Sequence, residues 1–183
     1  MGEDSTAVPN APPTIPPDDV ARRLSLVRPD EDDARLRHVA VAGDIYTILI
    51  GGAETAGRFA MIDMQVPPGG GPPPHRHDFE EMFQVLEGEI EVTFRGEKSI
   101  ARAGSIVNIP ANAPHAFKNV SDRPARLLCT VAPAGQEDFF IAVGDPVATR
   151  TAPPPTLDAA ARAERAATAK ALAAKFGNEM VAP

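Results

Sequence analysis

Residues Gly69 to Gly88 read GGGPPPHRHDFEEMFQVLEG, and the spacing of three side chains within them sets the expectation for the whole fold. The stretch holds two of the chain's four histidines, His75 and His77, followed by Glu81. On extended backbone successive side chains alternate faces, so residues two and four apart share one. An unbroken strand here would turn His75, His77 and Glu81 to the same side. Phe83 and Val85 continue that face, which places the three polar groups at the mouth of an apolar interior. A carboxylate buried beside two imidazoles needs compensation, and a divalent cation supplies it. A fourth ligand must then come from a distant segment, and His115 is the candidate.

The chain around this stretch, from Arg37 to about Ile141, reads as strands and turns. Ile45 to Ile50 is β-branched and aromatic and ends at Gly51-Gly52. Phe59 to Val66 is a second run, closed by Pro67-Pro68-Gly69, and Glu81 to Leu86 is a third. Glu87-Gly88 turns it into Ile90-Val92-Phe94, which alternates with Glu91 and Thr93. Arg95-Gly96-Glu97 turns again, and further strands are expected over Ile106 to Ile109 and Arg126 to Val131. Short strands at this spacing, with no helices between them, predict an all-β antiparallel sandwich or barrel.

Outside that region the character changes. Residues 1–17 hold five prolines among small and polar residues and are expected to be a mobile tail. Asp18-Asp19 can start a short helix, with Val20, Leu24 and Val27 at helical spacing, broken by Pro29 and a solvated acidic run. Residues 146–155 form a stiff proline-rich linker. A C-terminal α-helix is expected over 156–177, capped by Thr156, stopped at Gly177 and supported by an Asp158–Arg162 pair. Its thin apolar stripe suits packing against the barrel or a second subunit. The barrel with its N-terminal extension would occupy residues 18–145.

A net charge of -7 and a pI near 5.1, with no Lys/Arg cluster, argue against a nucleic-acid partner. The single cysteine, Cys129, excludes an intrachain disulfide and reads as a reduced core thiol within RLLCTV. No stretch has transmembrane length and the N-terminus lacks a signal-peptide layout, so no membrane partner and a cytoplasmic location are expected. Met1 to Thr6 fits the loose myristoylation pattern, but its acidic pair would repel an anionic leaflet.

A second constellation follows the first. Gly104, Pro110, Asn112, His115 and Asn119 are spaced so that His115 and Phe117 share one strand face. Together the two stretches resemble the paired motifs of the cupin superfamily. The first, G(X)5HXH(X)3-4E(X)6G, is met by Gly69, His75, His77, Glu81 and Gly88; the second, G(X)5PXG(X)2H(X)3N, by Gly104, Pro110, His115 and Asn119. Asn112 stands where glycine is usual, and asparagine tolerates the left-handed backbone next best. The resemblance implies a jelly-roll β-barrel with one divalent transition metal (Fe, Mn, Ni, Co, Cu or Zn) held by His75, His77, Glu81 and His115. It also implies a homodimer, with Met82 and Leu86 as contacts or as residues packed on the second sheet. His38 and Glu80 lie outside the ligand pattern and read as ordinary structural and surface residues.

Four protein ligands would close a tetrahedral zinc site, whereas a metal preferring six keeps about two positions for small molecules. One carboxylate against a divalent cation leaves net positive charge, attractive to an enolate or phenolate. Phe83, Val85, Phe94 and Phe117 are the expected substrate-pocket walls. The run from Gly43 to Phe59 is similar to quercetin 2,3-dioxygenase-type cupins, which implies oxygen-dependent cleavage of a flavonol-class molecule. By that resemblance Glu81 would also take the substrate proton, with burial raising its pKa. Three readings of function follow: a metal-dependent dioxygenase acting on an aromatic or enolisable small molecule, an oxygen-independent isomerase or lyase, and a non-catalytic small-molecule-binding cupin.

Overall fold

The structure, a computed structural model, describes residues 15–30 and 33–181. Twelve strands are found among them: β1 Arg37–Val41, β2 Asp44–Ile50, β3 Ala60–Val66, β4 His75–His77, β5 Glu80–Glu87, β6 Glu89–Phe94, β7 Glu97–Arg102, β8 Ile106–Ile109, β9 His115–Lys118, β10 Ala125–Ala132, β11 Asp145–Pro146 and β12 Asn178–Met180. Three α-helices accompany them, α1 Gly52–Thr55, α2 Gln136–Val143 and α3 Ala159–Ala173, with 3-10 turns at Asp33–Arg35 and Ala174–Phe176. The strands form two antiparallel sheets, ordered β11-β1-β2-β3-β10-β5-β8 and β12-β4-β9-β6-β7.

The inward faces of the two sheets make one core. Strand β5 shows how: Glu81, Phe83 and Val85 are buried while Glu80, Met82 and Gln84 are exposed, the period of two that a half-buried strand imposes. Ile62, Met64, Ile90, Phe117, Leu127 and Cys129 fill the space between the sheets. Cys129 is 1% exposed and unpaired, the buried free thiol expected of it. Asn112 does take the left-handed conformation, at φ 66°.

Several local expectations are overturned. No helix forms after Asp18; Val20 and Leu24 are 77% and 90% exposed, so the stripe has no surface to bury and so short a helix is marginal without packing. Most of the predicted tail, residues 1–14, lies outside the described residues. Strand β7 adds an element without a sequence signal: only Ala101 of it is buried, so no apolar alternation marks it. Helices α1 and α2 interrupt a region expected to hold strands alone; α2 turns Phe140 onto Tyr46, ring centroids 4.3 Å apart.

The C-terminal helix is shorter than the sequence suggests. Its cap is Asp158, whose carboxylate accepts from Ala161 N at 2.8 Å, rather than Thr156. Arg162 donates to the Leu157 carbonyl at 2.8 Å. The helix packs on α2, and Phe176 in the 3-10 turn after it lies beside Phe139, ring centroids 5.6 Å apart. Gly177 then sends the chain back into the smaller sheet as β12, an element the sequence did not announce.

His38 is structural, as expected. The Thr47 hydroxyl donates to its Nδ1 and its Nε2 donates to the Asp33 carbonyl, both at 2.7 Å.

Candidate metal centre

The stretch from His75 to Val85 is not one strand. It breaks at Asp78-Phe79, leaving β4 in the smaller sheet and β5 in the larger one. Glu81 therefore reaches the histidines by facing them across the barrel interior, not by sharing their strand. The corner is held by Phe79, whose ring stacks on His77 at 3.9 Å and 3°. The loop before β4 passes so close to β9 that a side chain at Gly71, φ 117°, would run into the Phe117 carbonyl. On β9, His115 lies directly opposite His75, and on its other side opposite Phe94 of β6.

The four side chains named from sequence converge: one ligand atom from each of His75, His77, Glu81 and His115 lies within 4.8 Å of the others. His77, Glu81 and His115 are 2%, 6% and 3% exposed, while His75 is partly open. The imidazoles are oriented from behind. Nδ1 of His75, His77 and His115 lies 2.9 Å from the carbonyls of Pro73, Phe79 and Ala113 respectively. A carbonyl can only accept, so each Nδ1 carries the proton and each Nε2 presents a lone pair to the centre.

Those lone pairs meet an anion. Glu81 Oε2 is 3.1 Å from His77 Nε2 and 3.3 Å from His115 Nε2, and His115 Nε2 is buried with no hydrogen-bond partner. Lone pairs aimed at a carboxylate oxygen repel unless a proton or a cation stands among them. Three neutral imidazoles and one carboxylate are the donor set of a transition metal, so the residues fit such an ion. The other carboxylate oxygen, Oε1, accepts from the Cys129 thiol at 3.5 Å, which fixes the plane of the carboxylate. This contact escaped the sequence reading, although Cys129 alternates with Leu127 and Val131 on the inward face of β10.

The expected rise in the Glu81 pKa is not found. Burial pushes it up, but His115 and His77, when they carry a proton at Nε2, outweigh burial and bring it down to about 2; a cation held among the same nitrogens acts in the same direction. At neutral pH Glu81 is ionised, a better ligand and a weaker base than expected. Burial, reinforced by His115, lowers the His75 pKa to about 4, which keeps that ring neutral and able to ligate.

The expected pocket walls divide. Phe83, Val85 and Phe117 are packed into the core, Phe83 edge-on to Phe117 at 5.2 Å. Phe94 instead lines a cleft of about 330 Å³ at the seam between β7 and β8, with Val92, Ile100, Val107 and Ile109. Glu81 lies directly opposite Ile109 on β8, and His115 opposite Phe94, so this cleft borders the strand positions that carry two of the ligands. A roomier cleft, about 530 Å³, lies away from the ligands between the β1–β2 turn and α3.

Residues 62–131, which carry all four ligands, match the family described as the cupin domain. The barrel has a cupin-like jelly-roll fold. The chain is 29% identical over 111 residues to quercetin 2,3-dioxygenase of Bacillus subtilis (strain 168), covering 60% of this chain and 33% of that protein. It is 34% identical over 94 residues to polyketide synthase CurC of Streptomyces cyaneus, covering 50% of this chain and 60% of that protein. The matched region thus spans a third to three-fifths of these relatives. Among solved structures, the polyketide cyclase RemF from Streptomyces resistomycificus superposes with a TM-score of 0.53 at 20% identity, over 76% of this chain and 91% of that one. That likeness bears on the fold. No described helix is long and apolar enough to cross a membrane.

Proposed function

We propose that this cupin is a metal-dependent dioxygenase acting on an aromatic or enolisable small molecule of the flavonol class. The observation that carries the metal reading is the convergence of three proton-fixed imidazoles on one ionised carboxylate. A bound divalent transition metal would supply Lewis acidity toward a substrate oxyanion and, if redox-active, a route for electrons to oxygen.

The chain's own residues account for the rest. The imidazoles and Glu81 bind the ion and leave it a net positive charge, which favours an enolate or phenolate over a neutral ligand. Val92, Phe94 and Ile109 offer an apolar wall to a flat ring and keep water from it. No Lys or Arg is buried among the described residues, which weighs against phosphorylated substrates. The relationship to quercetin 2,3-dioxygenase supports an oxygen-dependent reaction.

The relationship to polyketide synthase CurC supports a second reading, an oxygen-independent isomerase or lyase acting on an enolisable polyketone. One experiment separates them. Protein loaded in turn with Fe, Mn, Co and Ni is offered flavonols and β-diketones while oxygen uptake is followed. Uptake coupled to substrate loss supports the dioxygenase; substrate loss without oxygen supports the second reading; no turnover on either class contradicts both and leaves a binding protein.

We also infer a homodimer. Met82 and Ile106, 41% and 68% exposed on the outer side of adjacent strands β5 and β8, form an apolar patch that a second copy would cover. Light scattering that gave a monomer at micromolar concentration would contradict it.

A further inference from the structure

We propose that the C-terminal strand β12 is a positioning element of the metal centre, holding β4 and so His75 and His77 in place against the other two ligands. The inference rests on the metal-site reading above and adds to it a part of the chain outside the region matched to the cupin family.

Strand β4 is three residues long and carries two of the four ligands. On the barrel side it is joined to β9 through one registered pair, His75 with His115. On its other side it is joined to β12 through three: His77 with Asn178, Arg76 with Glu179 and His75 with Met180. The ladder is extended at both ends, because Asp78 N donates to the Gly177 carbonyl and Val181 N to the Pro74 carbonyl, each at 3.1 Å. Arg76 adds an ion pair, its Nε donating to Glu179 Oε2 at 2.7 Å. So short a strand with a single neighbour would leave backbone groups along one edge unpaired, and its ligands free to shift.

The strand is in turn tied down from behind. Asn178 is 8% exposed, and its side-chain amide donates to Gln136 Oε1 of α2 at 2.8 Å and to the Phe176 carbonyl at 3.0 Å. Residues directly opposite on paired strands share a face. Asn178 and Met180 therefore stand on the ligand side of the sheet, Met180 beside the partly open His75. Nothing in Asn-Glu-Met favours a strand, and its register is set by the corner before it. Gly177 sits at φ 69°, and a Cβ there would run into the Asp78 carboxylate, so a side chain at this position is strained and must displace Asp78.

The test is the rate at which cobalt(II) passes from the loaded protein to a chelator, measured well below the thermal transition. The full chain is compared with a chain ending at Phe176, with Gly177→Val and with Glu179→Arg. Release from the shortened chain and from Gly177→Val should be roughly ten- to hundredfold faster, the effect of losing an outer support of a metal site. The visible cobalt bands should shift as two ligands loosen. If the shortened chain does not fold, Gly177→Val and Glu179→Arg decide the matter. Folded variants that release cobalt at the rate of the full chain, with unchanged bands, would overturn the role of β12 while leaving the metal site standing. A full chain that takes up no cobalt would overturn the metal site itself, and the positioning role with it.

Discussion

Glu81 is the side chain on which the chemistry turns, since one oxygen faces two imidazoles and the other a thiol. Removing His77 takes away one donor and leaves Glu81 with less compensation. His77→Ala should therefore lose metal by more than the roughly 10- to 100-fold expected for an outer partner; elemental analysis after dialysis reads it. The thiol contact makes a finer prediction. Cys129→Val keeps the volume but frees Oε1, and should weaken metal affinity about tenfold, whereas Cys129→Ser should restore most of it. Equal affinity in all three proteins would show that Cys129 does not orient the carboxylate. Protons compete with the metal, so it should leave as pH falls. With His75 depressed to about 4 and Glu81 to about 2, that loss should extend below the ordinary imidazole range. Metal content measured against pH should be full at neutrality and fall mainly below pH ~6.

Among the elements, α3 offers the plainest test of local reasoning. Asp158→Ala removes its cap and should cost about 1 kcal/mol of helix stability, seen as faster amide exchange at Ala161 while the barrel amides stay protected. The cap also shows what the sequence carried and what it did not. Thr156 and Asp158 are both good caps, and the choice between them depended on where α3 meets α2, which no local pattern states. The barrel strands were legible wherever one face is apolar, as in Ile90-Val92-Phe94, and illegible in β7, whose position at a sheet edge buries Ala101 alone. His75, His77, Glu81 and His115 were legible through two fixed spacings, although a shared strand face is not what brings them together. A continuous strand would have put three of them on one sheet, and the corner at Asp78-Phe79 divides them between two. Strand β12 left no trace in Asn178-Glu179-Met180, because pairing with β4 alone makes it a strand.

At the scale of the molecule, buried charge ties stability to pH in two opposed ways. Asp44, 2% exposed, accepts from the Tyr46 hydroxyl at 3.2 Å and from Gly71 N at 3.3 Å, yet burial raises its pKa to about 7. Its folded pKa lies above the unfolded one, so the folded chain binds more protons between them. Stability should fall as pH rises from ~4 to ~7, by an amount on the order of 4 kcal/mol. Asp44→Asn should abolish that dependence, read as denaturation midpoints at pH 5 and pH 8. His75 acts oppositely in the metal-free protein, because its folded pKa is the lower one and stability falls as pH drops through about 6.5 to 4. Metal binding should mask this second effect by stabilising the folded state alone.

All of this depends on one ion being held by side chains from both sheets. X-ray absorption at the metal edge of the loaded protein tests that most directly. The account predicts a first shell of nitrogen and oxygen with outer scattering from three imidazoles, reduced to two in His115→Ala. A loaded protein with no imidazole scattering, or with a spectrum unchanged in His115→Ala, would contradict it.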